Sequence, residues 1–334
     1  MILTAADPTI TLNASDATSL GTRALCNIGF TPDEAQVITA NLLDAELCGY
    51  PALGLARILT ISEHVNFKKP RSAIVIEHET PMSARMDGGN YPGFYAVTQA
   101  AKLAIEKARA CRFSVVGMRN AWLSGRNAHY AEMIARAGFA CVHVACSGDQ
   151  VAPLGGKKSL LGTNPIAFSV PGEPHPFVLD MATSATNNGD VILARRLNHL
   201  LPEGVAIDPE GNPTCDPVSA LAGSILTFGG HKGYGLSLMA QAMGLMTGAP
   251  LTNGRITDFG FLFIVFDPAL LMPLPQLKTY LTQLIAEIKA TPLQPGVSEI
   301  RIPSERAFAE REVRRTVGVA LDTRIYERLT GMQL

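Results

Sequence analysis

The chain has 334 residues, of which 47% are hydrophobic and only 17% charged, and its formal net charge is −1. That length allows two modest domains or one large one with a sizeable core. A near-neutral chain without a basic run offers no electrostatic footing for nucleic acid or an anionic membrane, and no apolar run reaches the ~18 residues of a membrane span.

The amino-terminal stretch MILTAADPTITLNASD has neither the basic start nor the apolar core of a signal peptide, so a cytoplasmic location is expected. A helix starts at Thr31-Pro32-Asp33-Glu34, where the threonine caps, the proline suits the first turn and Glu34 completes a capping box. Ile38, Leu42 and Ala45 continue it at helical spacing until Cys48-Gly49-Tyr50-Pro51 breaks it. A second helix is expected from near Gly54, carrying Arg57, Ile58 and Ile61, and then a short strand over 73–77. Val97, Ala101, Ala104 and Ala108 mark a further helix, followed by a strand over Phe113–Met118.

From about residue 120 the texture changes. Short β-type runs (CVHVACS, NPIAFSVP, PFVLDMA) alternate with loops, and Gly211-Asn212-Pro213-Thr214 and Gly229-Gly230-His231-Lys232-Gly233 are turns. A long apolar helix is expected over roughly 234–247, and FGFLFIVFDP at 259–268 reads as a buried strand with a hard stop. Leu277, Leu281, Leu284, Ile285 and Ile288 recur as in a helix, and the charged tail from Ser304 to Leu329 reads as helices. The mixture implies an α/β or mixed α+β fold. So sparse a charged surface is that of a protein covered in part by another copy, and at least a dimer is expected.

Cys26, Cys48, Cys111, Cys141, Cys146 and Cys215 contain no CxxC pair and read as buried or idle thiols. The seven histidines show no HxxxH or HExxH spacing, so no protein-bound metal is expected. No GxGxxG follows a strand, and Gly155-Gly156-Lys157-Lys158-Ser159 only hints at a phosphate loop. Spacing alone therefore reaches a Gly-rich, polar, loop-built site and stops there.

Four strings go further. They are Leu161-Gly162-Thr163-Asn164-Pro165-Ile166-Ala167-Phe168, then Asp180-Met181-Ala182-Thr183-Ser184, then Asn212-Pro213-Thr214 with Asp216-Pro217, and last Gly229-Gly230-His231-Lys232-Gly233-Tyr234-Gly235-Leu236. In order and spacing, over nearly the whole chain, they resemble the malate/L-lactate/sulfolactate dehydrogenase family that lacks a Rossmann fold. Asn188-Gly189-Asp190-Val191 and Leu201-Pro202-Glu203-Gly204 look most like its branch that reduces Δ1-piperideine-2-carboxylate and Δ1-pyrroline-2-carboxylate. The resemblance implies a mixed sheet, an extended NAD(P) site using NADPH or NADH, and a homodimer acting on a small molecule. It implies a substrate and dimerisation domain of residues 1–115 plus 291–334, and an NAD(P)-binding domain of 116–290 with a small helical subregion.

Carried over residue by residue, the resemblance makes Arg57 the grip on the substrate carboxylate, a task that suits a guanidinium fork. It places Thr163, with Asn164, against the substrate. It gives cofactor contacts to Leu123, Ser124, Gly125, Thr183, Ser184 and Ala185, and to His231 and Lys232, where a helix start and a cation favour phosphate. Arg301 and Arg306 resemble the stretch near the adenosine end, where arginines suit a 2′-phosphate. Asp190 resembles the acid that tunes the catalytic histidine and is the one residue carried over with a catalytic role.

Here the chain departs from the pattern. The family usually reads Ser-His-Gly-x-x-Arg, and its histidine donates the proton; this chain has Ala52-Leu53-Gly54-Leu55-Ala56-Arg57. A second family histidine falls at Trp122 or Leu123. Loss of general acid–base help costs ~10²–10⁴ in rate. Reduction of a ketone makes an alkoxide that needs a proton, whereas a cyclic imine can arrive already protonated. The leading expectation is therefore an NAD(P)H-dependent reductase of a cyclic ketimine 2-carboxylate, with Asp190 steadying the iminium or relaying a proton. The alternatives are a 2-hydroxy acid/2-oxo acid dehydrogenase with a relocated acid, for which His129, Tyr130 and Tyr50 are candidate donors, and a catalytically silent dinucleotide-binding paralogue.

Overall fold

The computed structural model describes residues 8–249, 251–252, 255–256 and 259–333. Residues 1–7 of the amino-terminal stretch lie outside it.

The first strong local signal forms as written. Thr31 Oγ1 accepts from the Glu34 N–H, and Glu34 Oε2 accepts from the Thr31 N–H at 2.9 Å, closing a capping box at the start of the helix Pro32–Leu47. Ile38, Leu42 and Ala45 are fully buried along it. The next helix runs Arg57–Glu63, later than expected, because the Gly54 N–H turns back to Pro51 O and closes a 3₁₀ turn over Pro51–Leu53 first.

A seven-stranded sheet forms the centre. Its order is Val75–Glu79, Ser83–Pro92, Phe113–Trp122, Phe259–Phe266, Ala140–Cys146, Ile166–Val170 and Phe177–Met181. Ser83–Pro92 and Phe113–Trp122 run parallel, and the other neighbours are antiparallel, so the sheet is mixed. The strand expected at 73–77 lies at Val75–Glu79, where pairing with the next strand begins at Val75↔Asp87. Phe113–Met118 extends to Trp122 because Ala121 and Trp122 still have partners in Tyr91 and Pro92. The boundary expected near 115 falls inside this strand, and the sheet continues on both sides of it.

Phe259–Phe266 shows why its sequence is apolar without alternation. Phe261, Phe263 and Val265 pack under the alanine-rich face of the helix Gly93–Cys111. Leu262 packs with Val144 and Ala240 beneath the helix His231–Leu245. A strand covered on both faces has no polar side to display.

The tail holds a strand that its charge pattern conceals. Val319–Asp322 separates the helices Glu305–Val317 and Thr323–Thr330 and pairs with Thr9–Leu12. The core beneath it joins both ends of the chain, with Leu20, Leu25 and Ile38 against Val319, Ile325 and Leu329. A smaller cluster, with Val191, Ala194, Leu201 and Ala220, holds the helices Asn188–Leu197 and Pro217–Ala222 together. The helix Leu274–Lys289 covers the expected apolar positions, but none of its residues is buried.

Candidate active site

A cavity of about 460 Å³ opens where the Tyr50–Arg57 turn meets segments 123–128 and 179–189. Of the residues singled out from the sequence, Tyr50, Leu53, Arg57, Thr163, Leu123, Ser124, Gly125, Ser184 and Ala185 line it. Asn164, Thr183, Asp190, His129, Tyr130, His231, Lys232, Arg301 and Arg306 do not.

Arg57 opens its helix and is only 8% exposed. Its Nε and Nη1 have no hydrogen-bond partner among the described residues. The guanidinium is seated by the absence of a side chain opposite, since a Cβ on Gly189 would lie 2.7 Å from Nη2. Burial, with the nearby Arg196 charge, pushes its pKa down to about 10 against the pull of Asp190, so it stays charged at neutral pH. Arg196 is already engaged, donating to Ala56 O and Thr60 Oγ1 at 3.2 Å and to Glu63 Oε2. A buried guanidinium with unpartnered donors is costly unless a counter-charge meets it.

Beside it stand two apolar side chains. Leu53 projects from the 3₁₀ turn, and Leu123 follows the strand Phe113–Trp122 in a left-handed conformation at φ 63°. Among the described residues no histidine lines the cavity. Trp122 points away into the core, stacks on His64 at 4.5 Å and donates from Nε1 to Asn90 O.

The remaining residues divide between the wall and what lies behind it. Thr163 is on the wall, and its carbonyl accepts from both the Thr183 N–H and the Thr183 hydroxyl, which leaves Thr183 fully buried. Asn164 is also fully buried. Its Oδ1 accepts from the Ser147 N–H, and its Nδ2 reaches Ser237 and Gln241, so its amide ties the wall to the helix His231–Leu245. Asp190 sits behind the wall in the first turn of its helix, accepting from Asn187 Nδ2 at 2.9 Å. His231 and Lys232 are exposed at the start of their helix, and the loop before them is tied to the buried Thr183 by the bond from Phe228 N–H to Thr183 O. Arg301 is exposed and paired with Glu299. Arg306 lies 4.9 Å over the ring of Tyr50, which is on the wall.

Several wall residues escaped sequence reading. Arg126, 3% exposed, pairs with Asp44 at 2.8 Å and also lies over the Tyr50 ring. Asp180 is the acid of the cavity wall; its Oδ2 accepts from the Ala128 N–H at 2.7 Å and caps the helix Asn127–Arg136. Burial raises its carboxyl above the usual range, against that hydrogen bond and the Arg126 charge. The signal was present, because Asp180 opens the Asp-Met-Ala-Thr-Ser string. His129 is held by Asp44 at 3.3 Å, and the buried Tyr130 hydroxyl donates to Gly93 O and Ser124 O. Burial opposes ionisation of Asp44, but the His129 hydrogen bond and the Arg126 and Arg311 charges outweigh it and hold its carboxyl at about 2.

The donor set suits a dinucleotide. Ser124, Thr186 and Asn188 border the cavity, and the helix Asn188–Leu197 starts on its wall with no side chain capping it.

Comparison with known proteins gives the family. Residues 12–330 match the family described as malate/L-lactate dehydrogenase. The chain is 31% identical to a malate/(S)-sulfolactate dehydrogenase of Methanothermus fervidus, over 95% of this chain and 96% of that one. It is 32% identical to a Δ1-pyrroline-2-carboxylate reductase of Ancylobacter novellus, over 98% of each. The crystal structure of a Δ1-piperideine-2-carboxylate reductase from Pseudomonas syringae pvar. tomato superposes with a TM-score of 0.80 at 29% identity, covering 97% of this chain and 100% of that one. The chain belongs to the malate/L-lactate dehydrogenase family and is an NAD(P)-dependent oxidoreductase.

Proposed function

We propose that the enzyme reduces a small cyclic imine bearing a 2-carboxylate, of the Δ1-pyrroline- or Δ1-piperideine-2-carboxylate type. The observation that carries this is the buried, unpartnered guanidinium of Arg57 beside the apolar Leu53 and Leu123. Arg57 grips the carboxylate with its guanidinium. The two leucines face the ring and keep water from it. Thr163 borders the same space and orients the substrate.

The 123–125 segment with Ser184 and Ala185 would hold the cofactor, which when bound would supply the hydride. A cyclic imine enters as an iminium and leaves as a neutral amine, so no wall residue has to donate a proton at the moment of reduction. That matches a wall without imidazole. Asp190, which faces Arg57 electrostatically from behind the wall, adds negative potential near the iminium. The reductase relatives support this substrate class; the malate and sulfolactate relatives support a second reading, reduction of a 2-oxo acid. Tyr50, whose ring borders the cavity, would then supply the proton.

Oxidation of NADPH and NADH is followed with Δ1-pyrroline-2-carboxylate, Δ1-piperideine-2-carboxylate, pyruvate and oxaloacetate. Turnover of the imines alone is the expected result. Turnover of the 2-oxo acids at comparable kcat/KM overturns the imine reading and moves the proton to another donor. Working as a homodimer is part of this proposal, supported by the exposed Leu238, Met239, Leu245 and Met246 on the helix His231–Leu245 and the residue after it.

A further inference from the structure

We propose that Glu46 is a positioning residue for the anion site, setting where the Leu53–Arg57 turn holds the Arg57 guanidinium. This rests on the reading of Arg57 as the carboxylate grip.

Glu46 lies on the helix Pro32–Leu47, beneath that turn and 1% exposed. Its Oε1 accepts from the Leu55 N–H at 2.8 Å, between the two residues that the turn presents to the cavity. The turn is moulded on the carboxyl: a Cβ on Gly54 would lie 2.2 Å from Glu46 Oε1. Within the turn, Leu53 N–H bonds to Tyr50 O, Gly54 N–H to Pro51 O and Arg57 N–H to Gly54 O. Those bonds fix its shape, and the Glu46 carboxyl fixes it against the helix. A displacement at Leu55 is therefore carried two residues on, to the start of the Arg57 side chain.

Stability alone gives no reason for an acid here. Glu46 Oε2 has no partner among the described residues, and a buried oxygen left so is costly. The charge facing it from the helix Glu305–Val317 is Arg314, which spends a donor on the Glu46 backbone carbonyl rather than on the carboxyl. A leucine would fill the space without that cost, but it would leave the Leu55 N–H bare and the turn unanchored.

The test uses the full-length enzyme and pyrrole-2-carboxylate, a planar 2-carboxylate, with binding read by calorimetry in the presence of NADP⁺ or NAD⁺. Glu46→Leu is expected to weaken the probe about tenfold, with cofactor affinity changed by less than about twofold. Glu46→Gln keeps an acceptor for the Leu55 N–H and is expected to return affinity to within about threefold of the unaltered enzyme. If leucine is not tolerated, Glu46→Asp draws the carboxyl back from Leu55 and shifts probe affinity in the same direction. Normal probe binding in the Glu46 variants while Arg57→Lys is impaired overturns the positioning role alone. So does an equal loss of probe and cofactor that glutamine fails to rescue. Absence of probe binding in the unaltered enzyme, or binding indifferent to Arg57→Lys, overturns the carboxylate reading itself.

Discussion

Arg311 and Glu132 face each other as a two-pronged ion pair, with Nη1 2.7 Å from Oε1 and Nη2 2.6 Å from Oε2. Both side chains are 7% exposed. The pair joins the helix Glu305–Val317 to the helix Asn127–Arg136, and Arg311 Nη2 also lies 3.0 Å from Asp44. Without Arg311, buried Glu132 keeps only the half-exposed Arg136 as a cationic partner among the described residues. Arg311→Leu is therefore expected to lower the unfolding free energy by about 3–5 kcal/mol in urea titration. A loss below about 1 kcal/mol would show that solvent rescues the stranded carboxylates.

Asp44 gives this network an acid limit. Its carboxyl sits at about 2 when folded against an ordinary 3.8. A lowered value means that the folded state binds the proton less readily than the unfolded chain. The stabilisation is present above the ordinary value and is lost as pH falls through the folded one. Asp44→Asn should therefore cost stability at pH 7 and much less near pH 2–3, in melts recorded across that range. A pH-independent difference would remove Asp44 as the source.

Glu46 runs the other way. Burial, opposed by the Leu55 N–H and the Arg314 charge, raises its carboxyl to about 8 from 4.5. The folded state binds this proton more tightly, so its contribution is full below the ordinary value and is lost as pH rises through the folded one. Glu46→Gln should therefore gain in melting temperature relative to the unaltered protein as pH rises from about 4.5 to about 8. Parallel melting curves would mean that Glu46 is ionised when folded.

Arg57→Lys keeps the charge and loses the fork. It is expected to raise KM for the imine carboxylate by about 30-fold or more while cofactor affinity holds. Unchanged kinetics on the true substrate would take Arg57 out of the site.

Leu53→His restores an imidazole to the wall. Imine reduction should be unchanged or slowed, and a trace of pyruvate or oxaloacetate reduction should appear, short of the ~10²–10⁴ that a well-placed acid provides. A large gain in imine turnover would mean that the step needs a donor after all.

What was legible from sequence follows the range of the interactions. The Thr31–Glu34 capping box is local, and it formed where its spacing put it. The apolar run at Phe259–Phe266 announced a strand with two covered faces. The strand Val319–Asp322 was hidden because its partner, Thr9–Leu12, lies at the other end of the chain and its own neighbours are charged helices. In the site, the strings that mark the family led to Thr163 and Ser184 on the wall. They did not tell wall from support, since Asn164 and Thr183 differ from their neighbours only in which way the backbone turns them. Arg126 acts through Asp44, 82 residues away on the helix Pro32–Leu47, and Glu46 through the backbone of Leu55 across a turn, and no spacing rule covers either.

The pairing of Thr9–Leu12 with Val319–Asp322, backed by a bond from Thr323 Oγ1 to Pro8 O that spans 315 residues, bears on how the protein is made. The helix Ala14–Asn27, which carries Leu20 and Leu25, has no complete core to join until the segment bearing Ile325 and Leu329 has left the ribosome. The central sheet has all seven strands by Phe266, so it has a head start during synthesis. The Arg57 helix packs in the late core, so the anion grip is among the last parts to settle, and a chain cut short before Val319 would carry a finished sheet and no working site.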